Sequence, residues 1–519
     1  MQVHPSVPEL VMPDPSMSNQ SQNAAVRRKA KGAARNRLPE LPNDILLKVS
    51  RRALHGIYLR TRYNRPETEA AARDRLSELP DHILLNILER VDTMDALRTC
   101  ILSKRMLQLP AMLSRFDIDV GSLTQHHGKA SQRYLSITHV ARYNNALAGV
   151  TEKILCRRSP EIPIIHKLRV RCYLRPDECL PITRALASTM ATQEVENAEF
   201  VSLLEDPYIG SRPDERYAKR FNTCLGDCPA AFAGLTRLWL CNMRFGKLDI
   251  LNILSTCKRL EHLRLSCCDA GLHSVLLVEH DQLVELIVER GHYETVHLYR
   301  LPKLKRMTCA GWCFPVPLAF GYVPLLSTLS LAQTGISLTT DLHLSQLLAN
   351  VPSISELHLD FRSEKIWVVP ECPKLLAPVF GKLEYVNLEQ ASALDNLREG
   401  CDIAWTNFIL EAAPRLRELC ITVWDHWCEM MTDEYARRQL GYYEKANVEW
   451  QPSVPGLKHK NLVKLTIHGF QPNENMVQYV KNIMKVAVNM REISLHDRKA
   501  CEHCRYLYHS VKVYPSPTN

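Results

Sequence analysis

Three apolar residues spaced as apolar-x-x-apolar-x-apolar recur from residue 235 to residue 495. The ten copies are Leu235/Leu238/Leu240, Leu260/Leu263/Leu265, Leu283/Leu286/Val288, Leu304/Met307/Cys309, Leu326/Leu329/Leu331, Ile354/Leu357/Leu359, Leu383/Val386/Leu388, Leu416/Leu419/Ile421, Leu462/Leu465/Ile467 and Met490/Ile493/Leu495. Their starting residues lie 21 to 46 positions apart, which is typical of a repeat array with long insertions. One repeat cannot bury its apolar face alone, so the pattern predicts stacked repeats that share one core. A poorer copy at 195–200 and the stretches 167–170 and 116–120 predict further strands.

The residues between these apolar positions are predicted to point to the open, concave face of the sheet, because side chains alternate along a strand. The candidates for binding a partner there are Arg237, Trp239, His262, Arg264, Arg306, His358 and Tyr385, with Glu356 and Glu418 further along. Such a basic and aromatic face favours an acidic or phosphorylated partner segment. The alternative is an ordinary polar sheet surface without a dominant patch. Trp424 and Trp427 either line a pocket or pack a long insertion onto the array.

Residues 75–113 carry a helical pattern instead. The stripe of apolar residues consists of Ile83, Leu84, Ile87, Leu88 and Val91. Pro80 suits the first turn of this helix. Thr93 is predicted to cap a second helix, and Ser103 a third short helix that Pro110 interrupts. A module this small has surplus apolar surface, so we expect it to dock onto another helical protein.

The same stretch carries two sequence motifs in order. Leu79-Pro80-Asp81-x-Ile83-Leu84, followed by Arg98-Thr99-Cys100-Ile101-Leu102-Ser103-Lys104-Arg105, resembles the F-box of plant F-box proteins with leucine-rich repeats. Met106 stands where many such proteins have Trp. The resemblance implies an α/β fold, with an N-terminal three-helix F-box followed by an irregular leucine-rich-repeat solenoid. Residues 462–495 resemble the FBD region that closes such proteins, which implies a C-terminal cap.

The resemblance also implies partners. An F-box of this kind binds a Skp-family adaptor and, through it, the cullin and RING subunits of an SCF-type ubiquitin ligase. The adaptor-binding candidates are Leu79, Pro80, Ile83, Leu84, Ile87, Leu88, Leu102 and Arg105. The chain is then a non-catalytic receptor whose repeats bind an unknown protein substrate. The alternatives are a protein-interaction scaffold outside a ligase and a receptor for a small ligand in the array.

We predict seven segments. They are a disordered basic tail (1–36), a truncated F-box-like duplicate with a linker (37–74), the F-box (75–120), a connector (121–160), leucine-rich repeats (161–450), FBD-like C-terminal repeats and cap (451–505) and a tail (506–519). The duplicate copies only the first F-box helix, so it is either a second docking helix or a duplication remnant.

Composition adds limits to this interpretation. The chain has 519 residues, a net charge of +9 and 18 cysteines without a regular framework, which predicts reduced thiols in a cytoplasmic or nuclear protein. The basic run at 27–31 is either a nuclear-import signal or a solvated tail. We find no motif for phosphate binding, hydrolysis or metalloprotease chemistry, and Cys501-Glu-His503-Cys504 lacks a second ligand pair. We therefore predict no cofactor, no metal, no nucleic-acid partner and no membrane partner.

Overall fold

The computed structural model describes residues 79–91, 93–99, 105–106, 108–124, 137–156, 158, 164–203, 213–271, 273–333, 342–361, 367–393, 406–424, 457–470, 472 and 474–496. All of them belong to one compact unit made of Thr68–Asp425 and Asp433–Lys499. The predictions for the 1–36 tail, the duplicate, Leu102, Ser103, Trp427 and the 501–504 fragment lie outside the described residues.

The unit contains helices and strands, and the described strands between residues 262 and 332 follow one another without an intervening helix. The helices are α1 (Asp81–Leu88), α2 (Thr93–Arg98), a 3-10 helix (Leu109–Met112), α3 (Gly121–Thr124), α4 (Ile137–Cys156), α5 (Pro176–Thr192), α6 (Glu215–Asp227), α7 (Pro229–Ala233), α8 (Asp249–Thr256), α9 (Leu344–Leu347), α10 (Pro373–Phe380), α11 (Asn407–Ala412) and α12 (Glu474–Val486). The strands are β1 (Arg115–Asp119), β2 (Ile164–Ile165), β3 (Lys167–Tyr173), β4 (Glu194–Val195), β5 (Ala198–Leu203), β6 (Arg237–Cys241), β7 (His262–Ser266), β8 (Val275–Glu279), β9 (Glu285–Glu289), β10 (Thr295–Arg300), β11 (Arg306–Ala310), β12 (Leu318–Tyr322), β13 (Thr328–Ala332), β14 (Glu356–Asp360), β15 (Tyr385–Ala393), β16 (Glu418–Trp424), β17 (Lys464–His468) and β18 (Glu492–His496).

Thirteen of these strands form one parallel sheet in the order β1-β3-β5-β6-β7-β9-β11-β13-β14-β15-β16-β17-β18. All ten predicted repeat copies contribute a strand to this sheet, and so do the three earlier predicted stretches. Equivalent positions of neighbouring repeats lie opposite one another, as Leu238, Leu263 and Leu286 do. These three side chains are at most 2% exposed, so equivalent apolar residues stack into one continuous core. The predicted α/β solenoid is confirmed.

Three return segments contain strands that the repeat pattern did not predict. β8, β10 and β12 form a separate parallel sheet in the order β12-β10-β8. In β8, Leu276 and Val278 are buried, whereas Val275 and Leu277 are exposed. Because Val275-Leu-Leu-Val278 is apolar in both phases, periodicity alone does not reveal a strand with one inner face.

The turn after several strands of the large sheet uses the left-handed backbone region. The φ angles are 57° at Asn242, 52° at Cys267, 50° at Arg290 and 66° at Gly311. The amide of each residue donates a hydrogen bond to a carbonyl of the neighbouring strand, for example from Arg290 to Ala310 at 2.6 Å. The array therefore tolerates backbone strain at non-glycine residues where the chain leaves the sheet.

The described apolar residues of the F-box form no core of their own, because they join that of the array. Leu84, Leu88 and Leu109 belong to the same buried cluster as Phe116 of β1. Pro110, which we predicted to interrupt a third helix, instead lies in the first turn of the 3-10 helix. Proline is tolerated there because a first-turn residue needs no backbone donor.

Polar contacts reinforce the junction between the F-box and the first strand. Glu89 accepts hydrogen bonds from the backbone N–H of Ser114 at 3.0 Å and from its hydroxyl at 2.6 Å. Thr93, predicted as a helix cap, accepts a hydrogen bond from the backbone N–H of Asp117 at 2.7 Å. The start of the array thus holds the first two F-box helices directly.

Two further observations concern membrane-spanning helices and thiols. Within the described ranges, no helix combines the length and apolar character needed to cross a bilayer. The described cysteines are free thiols, and eight of them are buried, where a free cysteine packs as a small apolar residue.

Candidate protein-interaction surfaces

Helix α1 presents an apolar edge to solvent. Pro80 is exposed, and Ile83 and Ile87 are half-buried. Neither isoleucine packs against the main core, whereas Leu84 and Leu88 are 1% and 5% exposed within it. The predicted stripe is therefore divided between an inner pair that holds the helix in place and an outer trio at positions 80, 83 and 87 that is accessible to a partner.

Arg105 organises the beginning of α1 from the far end of the F-box motif. Its Nη2 lies 2.6 Å from the backbone oxygen of Leu79 and 2.6 Å from Oδ1 of Asp81. Leu79 itself is half-buried against the core, and Met106 is 2% exposed. Met106 thus fills the core, and Leu79 with Arg105 sets the position at which α1 starts.

The seven residues predicted on the sheet all lie on one side of it, opposite the core. We call this side the open face. Arg237, His262 and Arg306 share one row across the strands, which continues to Tyr385, whereas Trp239 and Arg264 share the next row. His358 continues that second row on β14. Arg237 is exposed and the other six are half-buried.

A compact polar cluster surrounds Trp239. The Arg264 guanidinium lies 4.3 Å from the centre of the Trp239 ring, a geometry that favours cation–π attraction. The Trp239 indole N–H donates to the Ser266 hydroxyl at 3.1 Å. Glu289 then accepts hydrogen bonds from Arg264 at 2.7 Å and from Ser266 at 3.0 Å. Neighbouring repeats therefore hold the tryptophan ring in one orientation.

A second cluster centres on Glu285. This carboxylate lies 2.8 Å from Nδ1 of His262 and 2.9 Å from Nε of Arg306. The hydrogen bond from His262, with further help from Arg306, lowers the pKa of Glu285 from 4.5 to about 2, although burial opposes the shift. The charge of Arg306 is accordingly compensated within the face.

These clusters change the sequence-based picture of a basic surface. Glu285 and Glu289, which neutralise Arg306 and Arg264, were not among the predicted residues. Glu285 lies between Leu283 and Leu286, and Glu289 directly follows Val288, so both residues share the outward phase of the Leu283 copy, and that phase carried the signal. Arg237 has no ion-pair partner among the described residues.

Further along the sheet the open face becomes acidic and aromatic. The rings of His358 and Tyr385 lie 5.4 Å apart. Burial lowers the pKa of His358 and raises that of Tyr385, so both side chains are neutral at neutral pH. Glu356 and Glu389 lie on β14 and β15 beside them.

The part of the chain that the structure describes forms no metal centre, and one of its cavities is open to solvent. No group of three His, Cys, Asp or Glu side chains converges there to hold a metal ion. An open cavity of about 540 Å³ lies away from the open face, between Gln193, Gly234 and Arg259.

A helical docking module joined to a parallel repeat sheet defines an F-box/leucine-rich-repeat protein. The F-box domain model matches residues 76–117. The model of the leucine-rich-repeat domain of At1g61320/AtMIF1 matches residues 228–515, more than half of the chain. The chain therefore belongs to the At1g61320/AtMIF1 leucine-rich-repeat family, which is a plant family. No curated protein matches it. The FBD-like region expected at 451–505 stays a prediction.

Proposed function

We propose that this chain is the substrate-recognition subunit of a cullin–RING, SCF-type ubiquitin ligase. The observation that carries the proposal is the continuity of an F-box with a repeat sheet in one buried core. F-box domains generally bind Skp-family adaptors, and leucine-rich repeats bind proteins. A receptor of this kind does no bond chemistry, but raises the effective concentration of a substrate lysine near the ubiquitin-charged enzyme.

The accessible edge of α1 is the proposed adaptor surface. Pro80, Ile83 and Ile87 would contact the adaptor, because they are apolar, adjacent and not used by the core. Leu79 and Arg105 would hold the start of the helix in place. Leu84 and Leu88 would support it from inside. Small helical interfaces depend on a few such anchors.

Adaptor binding tests this proposal directly. The variant Pro80→Ala with Ile83→Ala should weaken capture of a recombinant Skp-family adaptor at least about tenfold, because it removes two apolar anchors. The matched control is His82→Ala, an exposed residue of the same helix, which should bind normally. Unchanged capture by the folded double variant would count against the ligase role.

A second experiment asks which complex the chain enters in the cell, where we propose a cytoplasmic or nuclear location. Affinity purification of the native chain and of the Pro80→Ala/Ile83→Ala variant, followed by mass spectrometry, should show loss of adaptor and cullin in the variant. Proteins that remain are candidate substrates. If the full chain retains partners yet recovers no adaptor or cullin, the array acts as a scaffold outside a ligase.

A further inference from the structure

The first strands of the sheet carry basic residues that no carboxylate neutralises. Arg115 of β1, Lys167 of β3 and Arg237 of β6 are exposed on the open face. Their neighbours Arg169 and Arg171 are paired with acidic residues, for example Arg171 with Asp119 at 2.9 Å. Among the described residues, the first three have no ion-pair partner. We call Arg115, Lys167 and Arg237 the basic end.

The middle of the open face has no net charge and carries several small side chains. The cations of β7 and β11 are compensated by Glu289 and Glu285, as described above. Apart from Arg306, the outward side chains of β11 and β13 are small: Thr308 lies opposite Ser330, and Ala310 lies opposite Ala332. A partner chain can therefore approach the second half of these two strands closely, and the charge of Arg306 beside it is compensated by Glu285.

The charge then reverses. Glu356 of β14, Glu389 of β15 and Glu418 of β16 lie on the open face of three successive strands. Glu356 accepts a hydrogen bond from Thr328 at 3.1 Å, and Glu389 from the Asn387 amide at 3.0 Å. Within the described residues neither has a cationic partner. We call Glu356, Glu389 and Glu418 the acidic end.

One of the three carboxylates is offset, because Lys464 of β17 forms an ion pair with Glu418 at 3.9 Å. Glu356 and Glu389 keep their negative charge uncompensated among the described residues. His358 lies beside Glu356 and Glu389, but its burial favours the neutral ring. The open face therefore has excess positive charge at one end and excess negative charge at the other.

We propose that the open face binds a bipolar protein segment, with acidic residues over the basic end and basic residues over the acidic end. Charge complementarity selects this occupant, because a uniformly acidic or uniformly basic segment is repelled at one of the two ends. The inference deepens the proposed function by naming the chemistry of the substrate. It replaces the acidic or phosphorylated segment that the sequence pattern favoured.

The spacing of the strands sets the length of the segment. Five strand-to-strand steps separate β6 from β14, which at about 4.8 Å each is roughly 24 Å. An extended chain covers about 3.4 Å per residue, so about seven residues separate the acidic from the basic block. The neutral middle of the face would lie beneath this spacer.

A displayed library of random fourteen-residue peptides, selected on the full-length chain, tests the proposal. Enriched peptides should carry acidic residues at one end and basic residues at the other. One matched variant neutralises the acidic end by Glu356→Gln, Glu389→Gln and Glu418→Gln. The other neutralises the basic end by Arg115→Gln, Lys167→Gln and Arg237→Gln. With each variant, the complementary charged block should no longer be enriched among the selected peptides. Each variant should also bind an individual peptide selected on the native chain at least about tenfold more weakly in fluorescence anisotropy.

The control variant neutralises three exposed carboxylates on helices, by Glu152→Gln, Glu215→Gln and Glu474→Gln, and should select the same peptides as the native chain. Circular dichroism verifies that every variant is folded. Peptides of one charge sign, no enrichment, or an equal loss in the control would overturn the inference. Adaptor capture on the same preparations reports the ligase role separately, since a chain can select bipolar peptides without binding an adaptor.

Discussion

Arg158 is the most consequential single residue at the junction of the F-box and the array. It is 6% exposed, and burial lowers its pKa. Its guanidinium donates to the backbone oxygens of Leu113, of Ala111 at 3.3 Å and of Ile164 at 3.2 Å, and to the Gln193 side chain at 2.5 Å. One side chain thereby joins the end of the F-box, the start of β2 and the turn after α5.

We expect Arg158→Met to lower the free energy of unfolding by about 3 kcal/mol. The methionine keeps an apolar stem of similar length but leaves four acceptors without this donor. The loss costs up to about 1–3 kcal/mol for the buried Leu113 oxygen and less for the three part-buried acceptors. Removing a buried cation also removes its desolvation cost of several kcal/mol. The net loss of stability is therefore smaller than the summed cost of the four acceptors. The local stability should decrease most at the junction between the F-box and the array.

Urea denaturation followed by circular dichroism measures this effect, and amide hydrogen exchange at 109–113 locates it. The control Arg184→Met, on the exposed side of α5, should change stability by less than about 0.5 kcal/mol. A loss below about 0.5 kcal/mol for Arg158→Met, with native exchange at 109–113, would refute the reasoning that the buried guanidinium holds the junction.

Three further predictions concern the face, the turns and the N-terminal duplicate. Glu285→Gln should lower the free energy of unfolding by about 1–2 kcal/mol at pH 7. This loss is smaller than the roughly 3 kcal/mol that the lowered pKa of Glu285 implies, since the carboxylate is partly solvated. That difference should vanish as the pH falls from 4.5 towards 2, because the ionised form is what the folded chain stabilises; a pH-independent difference in denaturation would contradict it. Arg290→Gly should leave the free energy of unfolding unchanged or raise it by up to about 1 kcal/mol, because glycine removes backbone strain at φ 50°. A clear drop in melting temperature would show that the contacts of the arginine side chain outweigh this strain. Deleting residues 1–70 should leave adaptor affinity within about threefold, less than 1 kcal/mol, and a tenfold loss would show that the duplicate participates.

The strands of the large sheet were predictable because their signal is local. Each repeat core places three apolar residues within six positions, and alternation along a strand then assigns the outward side chains. Arg237, Trp239 and Tyr385 were assigned to one face in this way. The helical stripe of the F-box was equally visible, since helical spacing requires only one turn of chain.

The tertiary structure decided which of these side chains can still contact a partner. His262, Arg264 and Arg306 meet Glu285 and Glu289 only because parallel repeats bring residues 21 to 25 positions apart into register, and the pattern of one repeat does not encode its neighbour's partner. Likewise, the stripe of α1 does not say that Leu84 faces inwards and Ile83 outwards. That choice depends on where β1 and the 3-10 helix pack, because burial is a property of the assembled core and not of a single helix.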